Sequence, residues 1–192
     1  FTGSTVIPKE KLERIKHSGT GRAAWMRMRP MSLWESGESN GQLSLSEMFN
    51  GTAEEACEAN ELDIEQLSWL ICRGGWPAAL SMTKKGALKQ SVNYIEAIAS
   101  KDISDVDDVK REKEFTLRVL KSYARFQGAQ APLTSIHADL RTNAERTMTE
   151  ETISSYITGL KKLFVIEDAP AWNPNLRSKT AIRTSDTRYF VD

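Results

Sequence analysis

The sequence predicts a mainly α protein, with a helical bundle followed by a winged helix-turn-helix and a small β hairpin. Between residues 62 and 128 apolar residues recur at helical spacing, and two shorter helical patterns follow. After residue 163 the pattern changes to short apolar runs that are typical of strands. A chain of 192 residues with 40% hydrophobic residues is long enough for two or three modules.

The first 61 residues carry the weakest secondary-structure signals. In Trp25-Met26-Arg27-Met28-Arg29 the tryptophan and the arginines alternate with methionine, which predicts a strand buried on both faces except at the arginines. Residues 36–61 are polar and acidic and contain glycine, so they predict a connector. One short helix is expected in this connector, around Leu45 to Phe49.

Four helices are predicted between residues 62 and 128. Asp63 stands at an N-cap position, and Gln66 follows at the spacing of a capping box. Gly74-Gly75 ends this first helix, and Pro77 suits the first turn of the second. Apolar stripes predict a third helix and a fourth helix, from about Ala87 to Ser100 and from about Val106 to Gln127.

The last third of the chain changes character. A short helix is predicted from Pro132 to Leu140, and a second helix begins after Thr149, a credible N-cap. Phe164-Val165-Ile166 predicts a strand, and Thr180 to Val191 predicts one or two more. Helix, turn, helix and hairpin is the order of a winged helix, so residues 129–192 are predicted to form one.

In a winged helix the second helix is the recognition element, and the wing often contacts the backbone of DNA. Glu150 and Glu151 offset the two lysines of this helix, whereas DNA-binding proteins usually neutralise several phosphates. Both DNA and a protein surface therefore stay open as partners. The candidate nucleic-acid-binding residues are the outward-facing Ser154, Ser155, Thr158, Lys161 and Lys162 of the helix, with Arg177, Lys179, Arg183 and Arg188 of the wing.

Composition excludes several other classes of protein. Lysine plus arginine and aspartate plus glutamate both total 26, so no overall charge favours nucleic acid or an anionic membrane. Two separate cysteines and two separate histidines cannot form a structural zinc site. The aspartates between Asp102 and Asp108 lack the glycine and the final glutamate of a calcium loop and are expected to cap the fourth helix. No apolar run approaches the roughly 18 residues that span a bilayer, and the expected location is cytoplasmic.

The chain contains no Gly-Lys-Ser/Thr sequence, so it lacks the phosphate-binding loop of an NTPase and is not expected to hydrolyse ATP. Its motifs nevertheless follow one another in a recognisable order. They are Phe1-Thr2-Gly3-Ser4, Gly21-Arg22, Arg29 to Leu33, Gly74-Gly75-Trp76-Pro77, Tyr94 to Ile103, and Arg188-Tyr189-Phe190-Val191-Asp192. Over nearly its whole length the sequence resembles a group of prokaryotic AAA-type ATPases. In that group a nucleotide-binding domain precedes a helical lid and a C-terminal domain of unknown function.

The resemblance implies that this chain is an internal or C-terminal fragment of an ATPase whose Walker motifs lie elsewhere. ATP and Mg²⁺ would bind the parent protein, and no cofactor is expected in the fragment. Arg22 would be an arginine finger or sensor, and Ser4 a polar sensor of the γ-phosphate. The implied division is a nucleotide-binding remnant, a connector, a helical lid and a winged helix, at residues 1–35, 36–61, 62–128 and 129–192.

A second hypothesis comes from a different class of protein. The chain could be a stand-alone winged-helix transcription regulator, with a helical bundle that serves for dimerisation.

Under the first hypothesis, Gly74-Gly75-Trp76-Pro77 ends a helix and packs, and has no catalytic role. The fragment could also self-associate through surface that its parent protein normally covers.

Overall fold

A computed structural model of the protein describes residues 26–53, 62–142, 148–172 and 185–192. These residues are mainly helical, with one two-stranded antiparallel sheet, which confirms the predicted fold class. They divide into two compact units. The first unit comprises Met28–Tyr94 with Asp192, and the second comprises Ile95–Val191 with Arg27. The division falls at residue 94. The domain boundaries that the sequence places near residues 35, 61 and 128 stay predictions.

Three α-helices and a 3₁₀ turn lie in or begin in the first unit. Local signals define their ends: the Ser44 hydroxyl accepts from the Glu47 N–H, and Asp63 and Gln66 form the predicted capping box. Gly74 ends the second helix in a left-handed φ of 72°, as predicted. The elements are α1 (Leu45–Asn50), α2 (Ile64–Arg73), the 3₁₀ turn Pro77–Ser81 and α3 (Lys84–Ala97).

The Gly74-Gly75-Trp76-Pro77 motif is a packing device. The Gly75 carbonyl accepts from the Met31 N–H at 3.0 Å, and a Cβ on Gly75 would lie 2.6 Å from the Met31 carbonyl oxygen. The Gly75 N–H donates to the Asp192 carboxylate at 2.8 Å. Trp76 packs on Tyr94 with ring centroids 4.5 Å apart. The motif therefore ends α2 and packs, as expected, and it also brings the segment around Met31 against the turn.

The strand predicted around Met26 and Met28 is wrong for the described part of that stretch. Residues 26–30 adopt no regular structure, and the side chains of Met26 and Met28 are 94% and 88% exposed. Arg27 instead donates to the Glu167 carboxylate at 2.5 Å and lies over the Phe164 ring. Alternation alone does not make a strand, because the backbone also needs a hydrogen-bonding neighbour.

The second unit contains the remaining helices and the sheet. Its two strands are antiparallel, with Ile166 opposite Phe190 and Ala169 opposite Thr187. Phe164 has a left-handed φ of 57°, so the strand predicted from residue 164 begins two residues later. The elements are the π-helical turn Ile98–Asp102, the helical turn Ile103–Asp105, α4 (Lys113–Arg125), α5 (Leu133–Thr142), α6 (Glu150–Lys162), β1 (Ile166–Ala169) and β2 (Thr187–Phe190).

The core of the second unit lies between its three long helices. α4, α5 and α6 pack against one another, β1 contacts α6 and β2 contacts α4. Phe115 of α4 meets Tyr156 of α6 edge to face, with ring centroids 4.8 Å apart. The side chains that are almost completely buried include Val119, Tyr123, Ile136, Ile153, Leu160 and Ile166. α4 thus belongs with the predicted winged helix, although the sequence groups it with the bundle.

The fourth predicted helix begins later than expected, at Lys113 instead of about Val106. Asp108 has a left-handed φ of 57°, which breaks a helix at that point. The side chain of the N-cap residue, Glu112, makes no capping hydrogen bond to the helix, and the Glu112 N–H donates to the Tyr156 hydroxyl at 2.8 Å. The expectation that the preceding aspartates cap this helix is therefore wrong. Among the described residues, no helix is long and apolar enough to cross a membrane.

Candidate nucleic-acid interface

The predicted recognition helix is α6, and its two faces differ as predicted. The Thr149 hydroxyl caps it by accepting from the Thr152 N–H at 3.3 Å. Its inward face is buried in the core of the second unit. Of the candidate residues, Thr158, Lys161 and Lys162 are exposed, while Ser154 and Ser155 are partly buried. The first turn carries Glu150 and Glu151, whose charges oppose an approaching phosphate.

Both lysines at the end of α6 form ion pairs within the second unit. Lys161 pairs with Asp168 of β1 at 2.5 Å, and Lys162 pairs with Asp107 at 2.9 Å. An ammonium group that is already paired gains less from a phosphate, because the existing pair must be broken or shared first. The exposed face of α6 therefore offers little unpaired positive charge to DNA.

Ser155 does not face outward freely, because Arg111 binds it. Arg111 is buried, and its Nη2 donates to both the carbonyl and the hydroxyl of Ser155 at 3.1 Å. Gly159, one turn later, makes room for the guanidinium: a Cβ there would lie 3.1 Å from Arg111 Cζ. Arg111 was not among the candidate residues predicted from the sequence. The available signal was Asp107 four residues before it, the spacing of an ion pair on one helical face.

Asp107 is held in its charged form by these contacts. The hydrogen bond from Arg111 is the main reason that the pKa of Asp107 lies well below its ordinary value, although partial burial acts in the opposite direction. The hydrogen bond from Lys162 lowers the pKa further. The contacts of Asp107 with Arg111 and Lys162 thus hold the loop before α4 against the last turn of α6. The role of these three residues is structural.

Arg188 is buried, so it adds nothing to an exposed basic wing. Its Nε donates to the Ala131 carbonyl at 2.8 Å, and its Nη1 pairs with Asp168. Tyr123 of α4 also donates to Asp168. Three other predicted wing residues, Arg177, Lys179 and Arg183, lie outside the described residues. The two predicted ATPase sensors, Ser4 and Arg22, also lie outside them.

Asp168 is the centre of a polar cluster that contains the buried Tyr123 and Arg188 and the exposed Lys161. Burial alone would raise the pKa of Asp168, but hydrogen bonds from Lys161 and Tyr123 outweigh it, so the pKa is lowered. Burial, together with the Asp168 carboxylate, raises the pKa of Tyr123. The cluster connects α4 and α6 with both strands and leaves Asp168 fully paired.

Residues 64–192 match a protein family described as a domain of unknown function, DUF8612. The chain belongs to the DUF8612 family. The DUF8612 match begins at the first residue of α2 and includes the Gly74-Gly75-Trp76-Pro77 motif, the Arg111 and Asp168 clusters, and α6. No curated protein and no solved structure matches the chain.

The DUF8612 chain contains no phosphate-binding loop for ATP and Mg²⁺. A phosphate-binding loop needs a lysine after glycine, and no such sequence occurs in the 192 residues. In the part of the chain that the structure describes, no group of three His, Cys, Asp or Glu side chains could hold a metal ion. We therefore assign no step of nucleotide chemistry to these residues.

Proposed function

We propose that this chain is a protein-docking part of an AAA-type ATP-dependent protein, to which it contributes a helical lid and a winged helix without hydrolysing ATP itself. One observation carries the docking role. The apolar side chains on one face of α2, Ile64, Leu67 and Ile71, are 79%, 38% and 74% exposed. The ATPase context rests on the resemblance of the sequence.

The spacing of these three residues suits a helix that binds in a groove. Positions i, i+3 and i+7 lie on one side of a helix, and docking helices place their anchors at this spacing. Leu70, on another side of α2, is buried in the first unit and holds the helix in place. α2 is therefore anchored by one side and offers a second apolar side, which we call the α2 face and define as Ile64, Leu67 and Ile71.

The other helices of the first unit also expose large apolar side chains. Monomeric proteins rarely leave extended apolar patches in water, and such patches mark binding sites for other proteins. In a lid of the AAA type, the expected partner is the nucleotide-binding domain. The exposed large apolar residues of α1 and α3 in this unit are Leu45, Met48, Phe49 and Val92.

The charges of α6 favour a protein over DNA as the partner of the winged helix. Lys161 and Lys162 are paired with carboxylates, and the first turn of α6 is acidic. DNA binding depends mainly on unpaired cations that replace the counterions of phosphates. A winged helix with this charge pattern suits packing against protein within the parent ATPase.

The reading frame that encodes this chain tests the ATPase context. We expect a Walker A motif roughly 100 residues before Phe1, the length of one nucleotide-binding domain. A start codon directly before Phe1 would contradict the proposal and would favour the stand-alone regulator. If the motif is present, the P-loop segment encoded before Phe1 is the binding partner to use in a test of the docking role.

The docking role is tested by calorimetric titration of the upstream P-loop segment with this chain. We expect binding that the double variant Ile64→Asp/Ile71→Asp weakens more than about tenfold, because charges replace two apolar anchors. Glu65→Gln, an exposed change on the polar side of α2, is the matched control and should bind like the unchanged chain. Equal binding by all three proteins would exclude the α2 face as the docking surface.

DNA binding is the second candidate function, and the helix-turn-helix-hairpin order of α5, α6, β1 and β2 favours it. It is tested by fluorescence titration of duplex DNA at increasing salt concentrations. A winged helix that reads DNA binds at low salt and weakens as salt is added. We expect no binding at low salt, and salt-sensitive binding that Lys162→Ala reduces would favour the DNA-binding alternative.

A further inference from the structure

Two Asn-Gly sequences lie in the first unit, and their surroundings differ. Asn40-Gly41 is in a loop, whereas Asn50-Gly51 is at the end of α1. Both asparagines are exposed, and both glycines have a φ of 69°. Because glycine has no Cβ, its backbone nitrogen is sterically open to the preceding side chain. The two sites therefore form a natural comparison in which the hydrogen bonding differs.

We propose that Asn40 is a site of spontaneous deamidation in the folded protein, and that Asn50 is protected. The Gly41 nitrogen attacks Cγ of Asn40, a new N–C bond closes a five-membered succinimide ring, and the Cγ–Nδ2 bond breaks. The nitrogen loses its proton, and the side-chain amide leaves as ammonia. Water then opens the ring at either carbonyl and leaves aspartate or isoaspartate.

Backbone and side-chain groups around Asn40 support this reaction. The Gln42 N–H donates to Asn40 Oδ1 at 3.1 Å, which polarises the carbonyl under attack and stabilises the negative charge that develops on its oxygen. Ser39 Oγ accepts from the Gly41 N–H at 3.3 Å, so an acceptor lies where the proton must leave. The Ser39 N–H donates to the Leu33 carbonyl at 2.9 Å and holds that residue in place.

The same reaction is opposed at Asn50. Asn50 is the last residue of α1, and its helical backbone directs the Gly51 N–H back along the helix. That N–H donates to the Met48 carbonyl at 3.2 Å, and the Thr52 N–H donates to the Glu47 carbonyl at 3.0 Å. Both glycine nitrogens donate a hydrogen bond, but the one at Gly51 is part of the end of α1. This end of the helix must open before the Gly51 nitrogen can reach the side chain of Asn50.

Deamidation at Asn40 changes the charge of a structured loop. The new carboxylate follows Glu38, whose own carboxylate pairs with the buried Arg73 at 2.5 Å. The Trp34 ring lies against Gly41, where a Cβ would be 2.6 Å from Trp34 Cδ1. An isoaspartate adds a backbone atom at this contact, so the modification alters the loop as well as its charge.

The test compares the two sites in one protein. The folded chain and a urea-unfolded sample are kept at mildly alkaline pH, and aliquots are cleaved after glutamate at acidic pH. This cleavage separates Ser39–Glu47, which contains Asn40, from Met48–Glu54, which contains Asn50. Mass spectrometry then measures the conversion of amide to carboxyl in each peptide, and an isoaspartate assay confirms the chemistry.

In the folded chain we expect Asn40 to convert at least about fivefold faster than Asn50, the factor that corresponds to the additional backbone hydrogen bond of Thr52 that breaks when the end of α1 opens. In urea the two rates should become similar. Asn40→Gln should abolish conversion in its peptide, because glutamine would have to close a larger ring. Equal rates in the folded chain, or faster conversion of Asn50, would overturn the proposal.

Discussion

Arg111 and Asp107, four residues apart, form a two-pronged ion pair in the second unit: Nη1 lies 2.7 Å from Oδ1, and Nη2 lies 3.1 Å from Oδ2. The guanidinium is buried and also donates to Ser155 of α6. Parallel hydrogen bonds of this kind are stronger than a single contact, and they fix the orientation of both groups. This pair determines how the loop before α4 packs on α6.

Replacing Arg111 with methionine should destabilise the protein by about 3 kcal/mol, because the change leaves the Asp107 carboxylate without its two-pronged donor. Urea unfolding followed by far-ultraviolet circular dichroism measures the free energy. Lys110→Met changes the exposed neighbouring residue and should cost less than about 0.5 kcal/mol. Equal losses in the two variants would show that the buried ion pair does not stabilise the loop.

The free energy of unfolding should decrease in acid, because the pKa values of Asp107 and Asp168 are lowered in the folded protein. Their pKa values in the folded state are lowered, so the unfolded chain takes up protons first as the pH falls below about 3.9, the ordinary pKa of aspartate. The stabilising contribution is present above that pH and is lost as the pH falls towards the lowered folded-state pKa values. Unfolding free energies measured from neutral pH downward should show this decline.

Asp107→Asn isolates one of the two carboxylates. It should reduce the slope of stability against pH in the acid range by up to about 1.4 kcal/mol per pH unit, the contribution of one proton. In an Arg111→Met background the same change should have a smaller effect, because the main cause of the lowered pKa has been removed. An unchanged slope in the single variant would contradict this assignment.

Tyr123→Phe should cost about 2 kcal/mol, because it removes a hydrogen bond to the charged Asp168 carboxylate. The ring should keep its edge-to-face contact with Phe190, whose centroid lies 5.8 Å away. Tyr189→Phe removes the hydroxyl of an exposed tyrosine on β2 and should change stability by less than about 0.5 kcal/mol. Chemical denaturation measures the free energy of unfolding of both variants. If Tyr123→Phe leaves it unchanged, Lys161 and Arg188 alone are enough to stabilise the Asp168 carboxylate.

Gly75→Ala should destabilise the first unit by about 3 kcal/mol, because the added methyl group would meet the Met31 backbone. Gly37→Ala is the matched change at an open position with a φ of 87°, and it should cost about 1 kcal/mol from backbone strain alone. Thermal unfolding of the two variants separates close packing from backbone conformation. A smaller effect at Gly75 than at Gly37 would mean that the Met31 segment can move away at little cost.

Local chemistry made several elements predictable from the sequence. The capping box of Asp63 and Gln66 and the glycine that ends α2 depend on residues at most a few positions apart, and both were confirmed. The Thr149 cap and the buried face of α6 were confirmed for the same reason. The predicted start of α4 was wrong by about seven residues. The true start depends on two contacts with α6, from Arg111 to Ser155 and from Glu112 to Tyr156, and each joins residues more than 40 positions apart in the sequence.

At the candidate interface, too, local features were predictable and long-range contacts were not. Sequence periodicity placed Lys161 and Lys162 on the outer face of α6, and both are exposed there. Their partners, Asp168 and Asp107, could not be predicted, because one lies on a following strand and the other lies 55 residues earlier. Arg188 was expected in an exposed wing, but the fold buries it against Asp168.

Local patterns in the sequence were enough to predict the helical class of this protein, the caps and stops of several helices and the inward face of α6, and they show that no phosphate-binding loop is present. These features depend on neighbouring residues, on helical spacing or on a contiguous motif. The pairing of the charges, the start of α4 and the apolar stripe that stays exposed became clear only from the folded chain. Burial and ion pairing depend on which distant segments meet, and helical spacing does not specify those partners.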